Sequence, residues 1–515
     1  MGLGIASRGL KKRTILQHDC DGRWMVRAVL RILLALAFVV ATQATVAAQG
    51  AEKRWESLRA LPFPEHYPTR EAAERLLDEM CFHRATQVVG WSLPAMTLWY
   101  MKKGSEAQFG AGSNVLVIWK DRLSAETIVS TPNSDVIYAM GYIDLKSGGP
   151  TVVEVPPKQQ GILDDFWHRP LTDVGYVGPD KGEGGKYLIL PPDHEGETPD
   201  GYYTFKSPTY NVFVFWRAFR DRETGDAGEA VALMERTRIY PLASKEDPPP
   251  MKFPNGSGQP AVMVYPRDYT YFEGLAEFVQ EEAVDSEDWA MRGLMASLGI
   301  AKGKPFEPDD RMKEILSAGA EVGMKMAQAL RFADYLPDTK YWPDRQFHNV
   351  LNVPDVDFKT DSYLDVDARI GMFHIGYSIS PAMVMNMVGK GSKYSFAYRD
   401  AGGDYLSSDK TYKLHIPGPV PAANFWSITL YDTSNASGLQ NGQPFPSIGS
   451  LDPLKYNEDE SVDLYFGPEL PEGVPDSNWR RTVPGKGWFV LFRLYSPEQP
   501  FFDGSWRPGD FEKIN

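Results

Sequence analysis

Apolar residues recur at three- and four-residue spacing from Thr69 to about Met101, through Leu76, Leu77, Met80, Cys81 and Val88, which predicts an amphipathic helix. Thr69 stands where an N-cap belongs, and Pro94 is expected to interrupt or kink the helix. After Gly110-Ala111-Gly112 the period changes. Short β-prone runs follow at 115–119, 127–131, 136–145, 151–155, 171–177, 186–190 and 210–219, divided by Gly, Pro, Asp and Asn. Helical spacing returns at 224–240, and Pro248-Pro249-Pro250 then reads as a linker. Segments 272–284, 287–298 and 309–336 read as helices, and β-prone runs resume at 393–398, 411–416, 424–431, 461–466 and 487–495. The fold class predicted is mainly β with α: two β-sandwich or barrel-like domains joined by a helical segment. The expected divisions are a helical segment over 49–112, a first β-domain over 113–245, a helical connecting region over 246–389 and a second β-domain over 390–515.

Two heptapeptides match in register: Phe213-Val214-Phe215-Trp216-Arg217-Ala218-Phe219 and Phe489-Val490-Leu491-Phe492-Arg493-Leu494-Tyr495. Strand alternation puts Phe213, Phe215, Arg217 and Phe219 on one face, and Phe489, Leu491, Arg493 and Tyr495 on the corresponding face. Either each β-domain uses a similar strand, or two aromatic-rich strands coincide.

The N-terminus carries an address. Arg27 and Arg31 precede an apolar run over 32–41, and Val46-Ala47-Ala48 supplies small residues for cleavage, so 1–48 reads as a secretory signal peptide, with Met25 as an alternative start. The expected location is periplasmic or secreted. No other stretch gathers about 18 apolar residues, so no integral membrane segment is expected after signal removal. Cys81 is then the single cysteine, without an intrachain disulfide partner, and its spacing reads as core.

The formal net charge is −14, and losing the seven Lys/Arg and two Asp/Glu of 1–48 takes it to −19. Beyond the N-terminus no basic tract interrupts that acidity, which argues against a nucleic-acid partner. P-loop, nucleophile-elbow and H-E-x-x-H patterns are all absent. Ser407-Ser408-Asp409-Lys410 satisfies S-x-x-K, but its partner motifs are missing and its surroundings read as a turn. The eight histidines are scattered, and Asp355, Asp357, Asp361, Asp365 and Asp367 fail the spacing of a helix-loop-helix calcium site; they read as a helix start and a solvated face. No metal and no cofactor is expected.

Polar residues set among aromatics are the candidates for a site. Ser130-Thr131-Pro132-Asn133-Ser134-Asp135 lies between two β runs and is followed by Tyr138. Phe166-Trp167-His168-Arg169-Pro170, with Asp173, supplies a flat aromatic surface, an imidazole and a cation. Together these would orient a polar ligand in an apolar pocket. The structural alternative is an Asx-turn at Asn133, an Arg169–Asp173 ion pair and Trp167 in the core. In the second β-domain Phe425, Ser427, Thr429 and Tyr431 share a face, and Asp432, Asn435, Asn441, Asn478, Trp479 and Arg493 are placed at its mouth. The binding set expected is Asn133, Asp135, Tyr138, Trp167, His168, Arg169, Arg217 and Arg493, with no catalytic residue assigned.

Thr131-Pro132-Asn133-Ser134-Asp135, Gly201-Tyr202-Tyr203, Phe425-Trp426-Ser427-Ile428-Thr429-Leu430-Tyr431-Asp432, Asn478-Trp479 and Arg493-Leu494-Tyr495-Ser496-Pro497 together carry a resemblance. The chain resembles exported bacterial proteins that join two domains of unknown function, the twelve-fifty-four type followed by the twelve-fourteen type. The resemblance covers most of the chain after the signal and implies two β-sandwich-like domains joined by helices, without a general activity. Asn478-Trp479-Arg480-Arg481 departs from the family's Asn-Trp, apolar residue and proline.

Three functional readings remain. The first is an envelope or exterior protein that binds a small polar or amphiphilic molecule in an aromatic-lined cleft. The alternative is a hydrolase of an ester or phosphate ester, metal-assisted or not, using His168, Arg169 and Asp135. The second alternative is an assembly of identical chains. Whether the protein is an enzyme is left open.

Overall fold

The computed structural model describes residues 54–514 apart from 286, 287, 338, 352 and 354. The signal peptide expected over 1–48, with Met25, lies outside the described residues. The chain divides into two compact units at Glu79/Met80. The short helix Arg54–Arg59 belongs to the first, where Arg54 pairs with Glu79 at 2.6 Å. Apart from the start of the helix Arg70–Phe109, everything below concerns the second.

The helix Arg70–Phe109 begins after Thr69, whose hydroxyl accepts the Ala72 N–H at 3.3 Å, and runs through Pro94 without a break. An interior proline costs about 3 kcal/mol. Here Val88, Val89, Leu93, Met96 and Leu98 are all fully buried around it, and their packing outweighs that cost. The hydroxyls of Ser92 and Thr97 donate to the Val88 and Leu93 carbonyls next to the proline.

Each β-domain holds a five-stranded and a four-stranded sheet. In the first the order is Leu116–Ile118, Ile137–Asp144, Asn211–Ala218, Gln160–Asp165 and Pro170–Val174; in the second it is His348–Asn349, Ser392–Ala397, Trp488–Pro497, Ala422–Asp432 and Ser447–Gly449. The smaller sheets run Arg238–Pro241, Thr151–Val155, Gly185–Leu190, Tyr203–Lys206, and Phe511–Lys513, Tyr412–Ile416, Val462–Gly467, Trp479–Arg481. The nine strands of the first domain therefore match nine of the second in chain order and sheet position, including one parallel pair at the end of each small sheet. The matching heptapeptides are the central strands of the two large sheets, so the likeness is one of architecture rather than coincidence.

Both faces of these central strands are covered. Val212, Val214 and Trp216 point into the core between the two sheets of the first domain, and Val490, Phe492 and Leu494 do the same in the second. Phe213, Phe489, Leu491 and Tyr495 point the other way, into a core shared with the helices Arg70–Phe109, Thr270–Glu281 and Asp310–Phe332. The domains are thus sandwiches with helices against their inner sheets, and among the described residues no sheet closes into a barrel.

Three expectations change. The helix expected over 224–240 is confined to Gly228–Met234, and Arg238–Pro241 pairs as an edge strand with Thr151–Val155, which buries Ile239 and Tyr240. The Pro248-Pro249-Pro250 run does not separate domains: Leu116 N–H donates to the Lys252 carbonyl at 2.9 Å, so the following segment joins the first domain's edge. Strands Gln160–Asp165 and Tyr203–Lys206 lie outside the expected β-prone runs and carry glycine or charge.

Gly161 shows why. It sits opposite Trp216, and a Cβ on it would lie 2.1 Å from the indole. At the matching place in the second domain Ile428 faces Phe492, so a small and a very large residue replace two of middling size. Gly161→Ala is expected to lower stability by about 1–3 kcal/mol, read as a lower urea midpoint; an unchanged midpoint would show that the indole moves aside freely.

Candidate functional site

The inner sheets face each other across a cavity of about 950 Å³. Gln160, Ile162, Asp173, Phe215 and Arg217 line it from the first domain, and Tyr394, Leu491 and Arg493 from the second. The helix Gly228–Met234 closes one side with Leu233, and the stretch from Met372 to Ser392 closes another.

Register explains how the charges meet. Tyr138 is the cross-strand partner of Arg217, and Tyr394 that of Arg493, so each sheet offers one Tyr–Arg pair at the same place in its pattern. Arg217 reaches across to donate to the Tyr394 hydroxyl at 3.0 Å. Arg493 is buried and donates to the Thr429 hydroxyl at 3.0 Å and the Thr131 carbonyl at 3.2 Å. All these acceptors are neutral. Among the described residues neither guanidinium has a carboxylate within ion-pair distance, although a guanidinium stays charged at any pH a protein meets. Tyr138 and Tyr377, both buried beside them, have hydroxyls pushed upward by desolvation and remain protonated donors. An apolar part of the wall is formed by Ile162, Phe215, Leu233, Met372, Met383 and Met387.

The exposed charged residues at the rim are mostly basic, Lys158, Arg236 and Lys390 against Glu229, on a chain whose net charge is −14. The backbone is strained here as well. Thr131, Ser378 and Ser496 line the cavity with φ of +37°, +60° and +54°, a region that residues with side chains seldom occupy and that gathers at functional sites.

Of the eight expected site residues, Tyr138, Arg217 and Arg493 line the cavity. The other five lie outside its wall, each held by partners of its own. Asn133 makes the Asx-turn, accepting the Asp135 N–H at 2.8 Å, while its amide donates to the Tyr495 hydroxyl. Asp135 pairs with Arg122 at 2.9 Å and accepts from Ser447 at 3.0 Å. Trp167 packs in the core against Trp91, ring centres 4.5 Å apart. Arg169 pairs with Asp165 at 2.6 Å and Asp285 at 2.8 Å, not with Asp173. His168 is stacked on Phe373 and its Nδ1 accepts the Ser378 N–H at 2.9 Å, so it fixes a strained residue of the cavity wall from behind. Of the residues placed at the second domain's mouth, Arg493 alone lines the cavity.

Sequence reasoning missed Tyr394, Tyr377 and the methionines. A signal for Tyr394 existed: Tyr138-x-x-x-Tyr142 and Tyr394-x-x-x-Tyr398 repeat the same spacing on strands that flank the matching heptapeptides. The five aspartates over 355–367 include the helix cap that was expected, since Asp365 accepts the Ala368 N–H at 3.0 Å before the helix Val366–Ile375.

Comparison with known proteins gives a family without an activity. The model for Protein of unknown function (DUF1254) matches 113–241, and that for Protein of unknown function (DUF1214) matches 391–499, in the order the resemblance implies. No curated protein matches the chain. Of solved structures, the VPA0106 protein from Vibrio parahaemolyticus is similar with a TM-score of 0.50 and 17% identity, over 85% of this chain and 100% of that one. An uncharacterized protein from Burkholderia cenocepacia has a TM-score of 0.39 and 14% identity, over 86% of this chain and 97% of that one. The Vibrio likeness is one of fold.

His168 gives a prediction with a definite sign. Burial, helped by nearby Arg369, lowers its pKa from 6.5 to about 3. Between those values the unfolded chain binds a proton that the folded chain refuses, so this residue's contribution is present above pH 6.5 and is lost as pH falls. His168→Gln is therefore expected to remove about 1.4 kcal/mol per pH unit from the acid-side slope of stability between about pH 6 and 4. Urea melts at several pH values measure this, and a slope equal to that of the unaltered protein would contradict it.

Proposed function

We propose that this two-domain chain, DUF1254 type followed by DUF1214 type, is an exported protein that binds a small amphiphilic anion between its β-domains. Arg217 and Arg493 take the acid group, and the Ile162–Phe215 and methionine walls take the apolar body. One observation carries the reading: two guanidiniums at matching positions line one cavity with only neutral acceptors around them. A cation withdrawn from water without a counter-charge is costly, and a ligand's acid group offsets that cost. The basic rim draws anions to the mouth of an otherwise acidic chain. Tyrosine hydroxyls beside the cations donate further hydrogen bonds to the same group. The residues named for the hydrolase alternative, His168, Arg169 and Asp135, lie outside the cavity wall and are engaged elsewhere.

Octanoate, octyl phosphate and octanol distinguish the chemistry. Calorimetry is expected to show one or both anions binding at least about tenfold more tightly than octanol, and Arg217→Met is expected to reduce anion affinity about 10- to 100-fold, the worth of a charge-assisted hydrogen bond. The same substitution removes an uncompensated cation, so the ligand-free protein should melt no lower than before. Equal affinity for all three probes, or anion binding that survives Arg217→Met, would refute the reading.

A further inference from the structure

The cavity has a second polar point, far from the arginines. Asp173 is the cross-strand partner of Ile162, and Arg217 is the partner of Gln160. Gln160 and Ile162 are two residues apart on one strand, so all four side chains share the face that looks into the cavity. Two strand spacings sideways and two residues lengthwise put the Asp173 and Arg217 Cα atoms about 12 Å apart. Between the two points Ile162 and Phe215 give an apolar floor, with the Gln160 side chain beside Arg217.

Asp173 is 7% exposed and lines the cavity, yet no Lys or Arg among the described residues pairs with it. Its Oδ2 accepts the Ala382 N–H at 3.1 Å. The matching residue of the second domain, set by the pairs Asp173–Ile162 and Ser447–Thr429, is Ser447, which faces Asp135 and Arg122 instead of the cavity. The duplicated framework therefore accounts for the paired arginines and not for a carboxyl group here.

We propose that Asp173 is the far anchor of the ligand and accepts a hydrogen bond from a hydroxyl, so that the bound molecule is an apolar chain with an acid at one end and a hydroxyl at the other. This rests on the anion reading above. The donor that Asp173 already meets, the Ala382 N–H, is neutral and no cation pairs with the carboxyl among the described residues, so a hydroxyl continues the pattern; burial raises the Asp173 pKa. Ser380 stands on the adjoining wall as a further polar neighbour.

Octanoate, 8-hydroxyoctanoate and 8-methoxyoctanoate, with their ten- and twelve-carbon homologues, are titrated against the signal-free protein by calorimetry. At the length that spans the anchors, the hydroxy acid is expected to bind about five- to tenfold more tightly than both the plain and the methoxy acid, as one added hydrogen bond gives. Asp173→Asn retains an acceptor for Ala382 but turns a donor toward the ligand, so the methoxy acid should then equal or overtake the hydroxy acid. Should that variant not fold, the three-probe comparison in the unaltered protein still decides. Plain acids that bind through Arg217 with no hydroxyl gain at any length overturn this inference and leave the anion reading standing. A gain for 8-aminooctanoate in place of the hydroxy acid also overturns it. No binding by any homologue overturns both.

Discussion

Thr131 to Asp135 leave the first inner sheet and are fastened to the second β-domain, and the cavity exists because of that fastening. Thr131 N–H donates to the Ala436 carbonyl at 2.6 Å, the Tyr431 hydroxyl donates to the Pro132 carbonyl at 2.5 Å, Asn133 meets Tyr495, and Asp135 accepts from Ser447. Attachments from four of these five residues fix the separation of two sheets whose facing sides carry large aromatic residues. Thr131 holds its positive φ within this set, with its hydroxyl tied to the Ile375 carbonyl at 2.8 Å, so the strain is overcome by the contacts around it. The same residue's carbonyl then receives Arg493. Fastening and charge placement are one piece of chemistry.

The duplicated architecture makes the two halves alike where packing requires it and different where the cavity does. Central strands, register and the Tyr–Arg pairs recur, because a strand covered on both faces must carry apolar side chains in both directions and tolerates a long cation only where it reaches an opening. The Gly161–Trp216 and Ile428–Phe492 pairs hold similar volume by different routes. Elsewhere the copies diverge: Ser447 helps hold the domains together, while its counterpart Asp173 faces the cavity. Two cations and one carboxyl group give the enclosed space a direction.

Most of the architecture was legible from local pattern. Alternation located most of the central sheet strands, helical spacing located Thr270–Glu281, Trp289–Ser297 and Asp310–Phe332, and the repeated heptapeptide picked out both central strands with their arginines on equivalent faces. The edge strand Arg238–Pro241 was hidden within a helical period, since four residues are too few for a period of two to stand out. The strand Gln160–Asp165 was hidden because a neighbour's indole fills the place of its missing side chain at residue 161.

By itself the sequence determined which faces carry chemistry: Arg217, Arg493 and Tyr138 follow from alternation, which is a property of neighbouring residues along one strand. Cavity membership is a property of residues that are hundreds of positions apart, and only the tertiary structure decided it. Trp167, His168 and Arg169 form as inviting a local group as any in the chain, yet Asp165, Asp285 and Ser378 engage two of them and Trp91 covers the third. The two arginines differ for a single reason, that the fold brings them to one opening and gives each only neutral hydrogen-bond acceptors there.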